Sequence, residues 1–157
     1  MASYREALRL VGKLKNYIEN QDGYKLFYPE GTPVKREENL QLIFRPICSD
    51  SIYDVNREVN NGRGPVDYKI SFGKDNATVI EFKLANNNKL KQNLQYQVNK
   101  YKEASETEHS VVAIMYFDEK EKEKLNRILK ELSLLDKENI ILIDATSKKV
   151  SASNLKE

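Results

Sequence analysis

Two carboxylates and one lysine lie on neighbouring segments of the chain that alternate like adjacent β-strands. Asp67 is the second residue of the alternating run at residues 66–72, and Glu81 and Lys83 lie two positions apart within the run at 77–84. Because side chains alternate between the two faces of a strand, Glu81 and Lys83 share one face. A short turn joins the two runs, so Asp67 can point to that same face. The sequence therefore predicts a site at which two acids and an amine converge.

A site of this kind favours the binding of a hard divalent cation. Two carboxylates that meet in a low-dielectric environment repel each other, so either one of them takes up a proton or a cation binds between them. With oxygen ligands and no nitrogen or sulfur ligands, we expect Mg²⁺ or Mn²⁺. The alternative for an isolated Glu-x-Lys sequence is a structural ion pair on a half-exposed strand.

The composition excludes several other kinds of site and partner. Among 157 residues there is one histidine, His109, and one cysteine, Cys48. Neither a zinc site rich in Cys and His nor a triad with a histidine base can therefore be assembled. A single cysteine forms no internal disulfide, and no apolar run has the length of a membrane span or a signal peptide. We expect a cytoplasmic protein with no membrane partner.

The apolar periodicity predicts the elements that position this site. Helical spacing recurs at residues 7–18, 37–44, 90–104 and 119–134, with Pro46 expected to end the second helix. Extended patterns occupy residues 52–59, 66–72, 77–84, 110–117 and 140–143. The order α-α-β-β-β-α-β-α-β predicts an α/β protein with a mixed sheet flanked by helices.

The length of the chain favours a single domain spanning residues 1–157. Its core is expected at about residues 36–145. An N-terminal helix and loop (1–35) would precede that core, and a polar tail (146–157) would follow it.

The two acids and the lysine are spaced as in a known catalytic motif. Pro65-Val66-Asp67, thirteen intervening residues and Glu81-Phe82-Lys83 resemble the signature of the PD-(D/E)XK nuclease superfamily. The downstream sequence Gln97-Val98-Asn99-Lys100-Tyr101 is similar to the Gln-x-x-x-Tyr motif of RecB-like members. The string at residues 56–67 also resembles restriction-endonuclease-like domains that occur at the ends of larger bacterial proteins, often linked to phage defence.

This resemblance implies a restriction-endonuclease-like fold with an αβββαβ core and a metal-dependent nuclease activity, on DNA in preference to RNA. Asp67 and Glu81 would bind the metal, with the main-chain carbonyl of Phe82 as a further ligand. Lys83 would orient the attacking water and help to deprotonate it.

Gln97 and Tyr101 are expected to complete the catalytic set. The two residues lie four positions apart in sequence, so they share one face of the predicted helix and both can reach toward the site. Gln97 would touch a metal-bound water or a phosphate. Packing of an amphipathic helix explains the same two residues equally well.

The superfamily often has a further acid on the helix before its first core strand. Glu37 or Glu38 would occupy that place, although the preference of acids for a helix N-terminus explains either residue equally well. Glu58, on the preceding predicted strand, is the alternative acid facing the metal.

Basic residues near the site would contact the phosphates of nucleic acid. Arg57 and Arg63 precede Asp67 in sequence and would hold phosphates or pair with nearby acids. Lys89 and Lys100 belong to a lysine-rich helix that could lie along a phosphate backbone or simply form a solvated face. The net charge is only +2, from 26 basic and 24 acidic residues, so nucleic-acid binding would depend on such local clusters.

The sequence is compatible with three functions. The protein could be a nuclease, a nucleic-acid-binding module of the same fold without turnover, or a protein-interaction domain in which Glu81 and Lys83 form a structural pair. A nuclease with one site per chain would cut double strands as a homodimer, or act as one domain of a larger protein.

Overall fold

A computed structural model describes residues 2–57, 67–102 and 108–147 of the chain. The helices are α1 (Ala2–Asn20), α2 (Glu38–Ile47), α3 (Leu90–Lys102) and α4 (Glu119–Glu131), with 3-10 turns at Gly23–Phe27 and Cys48–Asp50. The strands are β1 (Asp54–Arg57), β2 (Tyr68–Ser71), β3 (Ala77–Leu84), β4 (Glu108–Tyr116) and β5 (Ile140–Asp144). None of the described helices combines the length and the apolar character needed to cross a bilayer.

The strands form one five-stranded sheet in the order β1-β2-β3-β4-β5. β1, β2 and β3 run antiparallel to one another, whereas β4 and β5 run parallel to β3. A parallel pair needs a crossover connection, and α3 and α4 supply the two that this sheet requires. The predicted α/β class, the order of the elements and the mixed sheet flanked by helices are confirmed.

The two faces of the sheet are covered by different helices. On one face, Phe82 of β3 packs with Phe44 of α2 in a core that also contains the apolar side of α1. On the other face, Leu94 of α3 and Val112 of β4 belong to a second core shared with α4. Glu81 is in register with Val112 in the parallel pair, so Glu81 faces the side of α3 and α4.

The turn between β2 and β3 closes as expected of a hairpin. The N–H of Phe72 donates to the carbonyl of Asn76 at 2.9 Å, and Gly73 has a φ of +73°, a conformation that favours glycine. Phe72 does not continue the buried face of β2, because its side chain is exposed beyond the end of the strand.

Several predicted boundaries differ from those of the structure; helix α4, for example, ends at Glu131 and not at residue 134. Two of the differences have a local cause. Helix α2 contains Pro46 within its last turn and ends at Ile47, whereas we expected Pro46 to end it. Proline removes a single N–H, and little of the helix remains after it in which further bonds could be disrupted. Strand β1 begins at Asp54, because the N–H of Tyr53 donates to Ser51 Oγ and holds the chain in a local bend.

The packing of Phe44 makes a prediction about stability. Its ring contacts those of Tyr68 and Phe82, with centroids 5.0 and 5.1 Å away, so Phe44→Ala should leave a cavity between α2 and the sheet. We expect the free energy of unfolding in urea to fall by about 3–5 kcal/mol. Leu42→Ala, at an exposed position of the same helix, should change it by less than about 0.5 kcal/mol. Equal losses in the two variants would contradict this account of the core.

Candidate functional site

Asp67 lies immediately before β2 and opposite Glu81 on β3. Tyr68 pairs with Ile80 in the antiparallel register, so the next pair in that register joins Asp67 and Glu81, and their side chains share a face. Each of the two acids has only 7% of its surface exposed. The structure therefore brings together the two carboxylates that the sequence predicted would meet.

Both carboxylate oxygens of Asp67 accept hydrogen bonds. Oδ2 accepts from the main-chain N–H of Phe82 at 2.6 Å, and Oδ1 accepts from Nε2 of Gln41 on α2. Because the N–H and C=O of one residue point to the same side of an extended strand, the carbonyl of Phe82 also faces the side on which Asp67 lies. That direction suits the expected role of this carbonyl as a third oxygen ligand.

Burial raises the pKa of Asp67 to about 6. The hydrogen bond from Phe82 lowers the pKa, the charge of Glu81 raises it, and the hydrogen bond from Gln41 lowers it again, without offsetting the effect of burial. A carboxyl group in this environment is ionised only at a cost. A nearby cation would remove that cost, so the electrostatics of the site favour positive charge beside Asp67.

Lys83 follows Glu81 on the same face of β3, as its position in the alternating run predicted. Its Nζ lies 3.8 Å from Glu81 Oε2, and both side chains are largely buried. This separation exceeds the roughly 2.7–3.2 Å of a direct hydrogen bond. The ammonium group of Lys83 and the carboxylate of Glu81 therefore form an ion pair without a direct hydrogen bond.

Gln97 on α3 is buried, and neither its Nε2 nor its Oε1 has a hydrogen-bond partner among the described residues. It lies on the helix face that carries Leu90 and Leu94, which pack on the same side of the sheet as Glu81. A buried amide that lacks partners costs about 1–3 kcal/mol. Simple helix packing would be better served by an apolar residue, so this burial favours a functional interpretation.

Glu37 is the acid of the pair 37–38 that influences the site. It is half-buried at the N-terminus of α2, and its charge contributes to the raised pKa of Asp67. Glu38 is exposed. No group of three or more acidic, histidine or cysteine side chains that could hold a metal occurs in the part of the chain that the structure describes. The candidate ligands are therefore two carboxylates and one main-chain carbonyl.

Gln41 contacts Asp67, and the sequence patterns did not predict this contact. It links α2 to Asp67, and its Oε1 accepts a hydrogen bond from Arg57 at 2.6 Å. We had expected Arg57 to contact phosphates or acids, whereas here it binds an amide. Gln41 follows Glu37 by one helical turn, so the two share a face of α2. This spacing could have indicated that Gln41 lies near the site.

The structure describes the side chains of some of the lysines expected on or near α3. Lys89 is exposed just before the helix, which suits a solvated face and a phosphate contact equally. Lys91 is paired with Glu131 of α4 at 2.6 Å, so this lysine has an acidic partner within the fold. The lysine-rich appearance of the segment therefore overstates the positive charge it offers to a ligand.

The structure does not describe the side chains of four of the predicted residues. Glu58 and Arg63 fall in the gap at residues 58–66. The backbone of Lys100 and Tyr101 belongs to α3, but their side chains are not described. Their expected roles remain predictions.

Comparison with known proteins gives one match. A family model described as a domain of unknown function, DUF8371, matches residues 3–119. No curated protein and no solved structure matches the chain. The matched region includes every candidate site residue named above, from Glu37 on α2 to Tyr101 on α3.

The raised pKa of Asp67 predicts how stability depends on pH in the metal-free protein. Between pH 3.8, the ordinary pKa, and about pH 6, the unfolded chain releases a proton that the folded chain retains. The free energy of unfolding should therefore fall by about 3 kcal/mol as the pH rises through this window, and then level off. Asp67→Asn should remove this component of the pH dependence, as measured by urea unfolding in EDTA between pH 4 and pH 8.

The control for this measurement is Asp75→Asn, which changes an exposed carboxyl in the turn between β2 and β3. It should keep the pH dependence of the wild type. If Asp67→Asn also keeps it, the carboxyl of Asp67 does not ionise with a raised pKa.

The carboxamide of Gln97 has no hydrogen-bond partner in the described part of the chain, and this predicts a substitution that stabilises the metal-free fold. Gln97→Met keeps the length of the side chain and removes its polar atoms, so the free energy of unfolding should rise by about 1–3 kcal/mol. Gln95→Met, at an exposed position of the same helix, should have little effect. A loss of stability in Gln97→Met would mean that the carboxamide is bonded within the fold after all.

Proposed function

The chain belongs to the DUF8371 family, and we propose that it is a metal-dependent nuclease that hydrolyses phosphodiester bonds of nucleic acid. One observation carries this proposal: Asp67 and Glu81 are buried opposite each other, with Lys83 beside them on the same face of the sheet. A structural ion pair would require Glu81 and Lys83 alone. It gives no reason to bury a second acid next to them.

A divalent cation fits the donors that this chain presents. Asp67 and Glu81 would hold it, together with the carbonyl of Phe82, and all three supply the hard oxygen ligands that Mg²⁺ and Mn²⁺ prefer. Burial and the repulsion between the two acids supply the driving force. When bound, such an ion would offset charge on the scissile phosphate and make the attacking water more acidic.

Lys83 and Gln97 would act on the other reacting groups. The ammonium group of Lys83 can hydrogen-bond to the attacking water and stabilise the negative charge that develops as the phosphate is attacked. The carboxamide of Gln97 has both donor and acceptor atoms without partners among the described residues. It could therefore orient either a water or a phosphate oxygen.

The order of the elements supports the restriction-endonuclease-like fold within this proposal. Helix α2, three antiparallel strands, the crossover α3 and the parallel strand β4 follow one another as αβββαβ, and the site lies where β2 and β3 meet. The choice of DNA as substrate and a role in phage defence rest on the sequence resemblance. The same proposal includes a cytoplasmic location. It also includes cleavage of double strands by a homodimer.

A nucleic-acid-binding module without turnover is the second candidate, favoured by one observation. The described residues provide two acidic side chains at the site and no group of three, so metal affinity depends on few ligands. Such a module would bind nucleic acid and leave it intact with every metal.

The decisive experiment incubates the protein with labelled single- and double-stranded DNA and RNA in Mg²⁺, Mn²⁺ or EDTA. We expect cleavage of DNA that requires the metal and slows by roughly 100-fold or more in Lys83→Met, because a donor to the developing charge is lost. Lys74→Met, in the exposed turn between β2 and β3, is the matched control and should cleave like the wild type. Cleavage in EDTA, or cleavage by Lys83→Met at the wild-type rate, would overturn the mechanism.

A further inference from the structure

Gln41 connects the surface of the protein to the buried acid at the site. A continuous series of hydrogen bonds runs from Nη2 of Arg57 to Oε1 of Gln41, from Nε2 of Gln41 to Oδ1 of Asp67, and from the N–H of Phe82 to Oδ2 of Asp67. The series joins β1, α2, the start of β2 and β3. Nothing in the ligand set proposed above requires α2 to take part in it.

The chemistry of the partners fixes which way the carboxamide of Gln41 points. A guanidinium group can only donate hydrogen bonds and an ionised carboxylate can only accept them. Arg57 therefore requires the oxygen of Gln41, and Asp67 requires its nitrogen. If the amide were reversed, two donors would face each other at Arg57 and two acceptors at Asp67.

The main chain of Gln41 is held in place as well. The hydroxyl of Tyr68 donates to its carbonyl oxygen at 2.6 Å, and Phe44, less than one helical turn further along α2, is fully buried against the sheet. Tyr68 is also the residue that follows Asp67 in the chain. The donor and the acceptor of the Gln41–Asp67 bond are thus fixed to the same part of the fold.

We propose that Gln41 is a positioning residue that fixes the rotation of the Asp67 carboxylate, with Arg57 setting the direction of its amide. This inference rests on the proposed nuclease function. One lone pair on each oxygen of Asp67 is occupied, by Gln41 on one oxygen and by Phe82 on the other. The lone pairs that remain have one fixed direction, so an arriving cation meets an acid that needs no reorientation.

The test is the affinity for Mn²⁺, measured by titration calorimetry on the full chain. Gln41→Met keeps the length of the side chain and loses the donor, so we expect affinity to fall roughly 10- to 100-fold, as when the partner of a metal ligand is removed. Gln21→Met, at an exposed position after α1, is the matched control and should bind like the wild type. Unchanged affinity in Gln41→Met would overturn the proposal.

Hydrogen exchange at the amide of Phe82 provides a readout that needs no metal. If Gln41 holds the carboxylate in place, Gln41→Met should speed the exchange of this amide in the metal-free protein relative to other amides of β3. Unchanged exchange would count against the proposal. A wild type that binds no Mn²⁺ would instead refute the nuclease function, and the Phe82 amide would still decide whether Gln41 positions Asp67.

Arg57 provides a second variant that leaves α2 and its packing unaltered. Arg57→Ala frees the amide of Gln41 to reverse, so Mn²⁺ affinity should fall, but less than in Gln41→Met. Arg57→Lys keeps a donor and should restore most of the loss. A purely structural role for the series predicts changes in stability with no change in Mn²⁺ affinity, and that result in both Arg57→Ala and Gln41→Met would also overturn the proposal.

Discussion

The burial of two carboxylates on adjacent antiparallel strands is the constraint on which the rest of this site depends. Asp67 and Glu81 face each other where β2 begins, and both are almost completely removed from solvent. Ionised acids in such a position repel each other and lack the hydration they would have in water. The fold compensates for this with hydrogen bonds to Asp67 from a strand amide and from α2, and with the ammonium group of Lys83 beside Glu81.

These interactions do not fully offset the cost of burying polar groups at the site. The pKa of Asp67 stays near 6 despite two hydrogen bonds, and the carboxamide of Gln97 is buried without a partner among the described residues. A region selected only for stability would have little reason to keep either feature. A cation beside Asp67 and a polar ligand beside Gln97 would make both features favourable, and such local instability is typical of functional sites.

The layered architecture explains how one site draws on both sides of the sheet. α1 and α2 cover one face and α3 and α4 cover the other. The pair Glu81 and Lys83 projects toward α3, while Asp67, at the point where β2 begins, is reached by Gln41 from α2. Asp67 lies just before the first residue of β2, so its side chain is not confined to one face of the sheet as it would be within the strand.

Local periodicity was enough to predict the order of helices and strands, the common face of Glu81 and Lys83, and the place of Asp67 opposite them. Contacts between distant segments could not be predicted in this way, because they depend on how the elements pack. The bond from Gln41 to Asp67 spans 26 positions, and Glu37 is half-buried while Glu38 is exposed because of how α2 is rotated against the sheet. The periodicity of a helix or strand determines the face on which a residue lies. The residues that it contacts on that face depend on how one element packs on another.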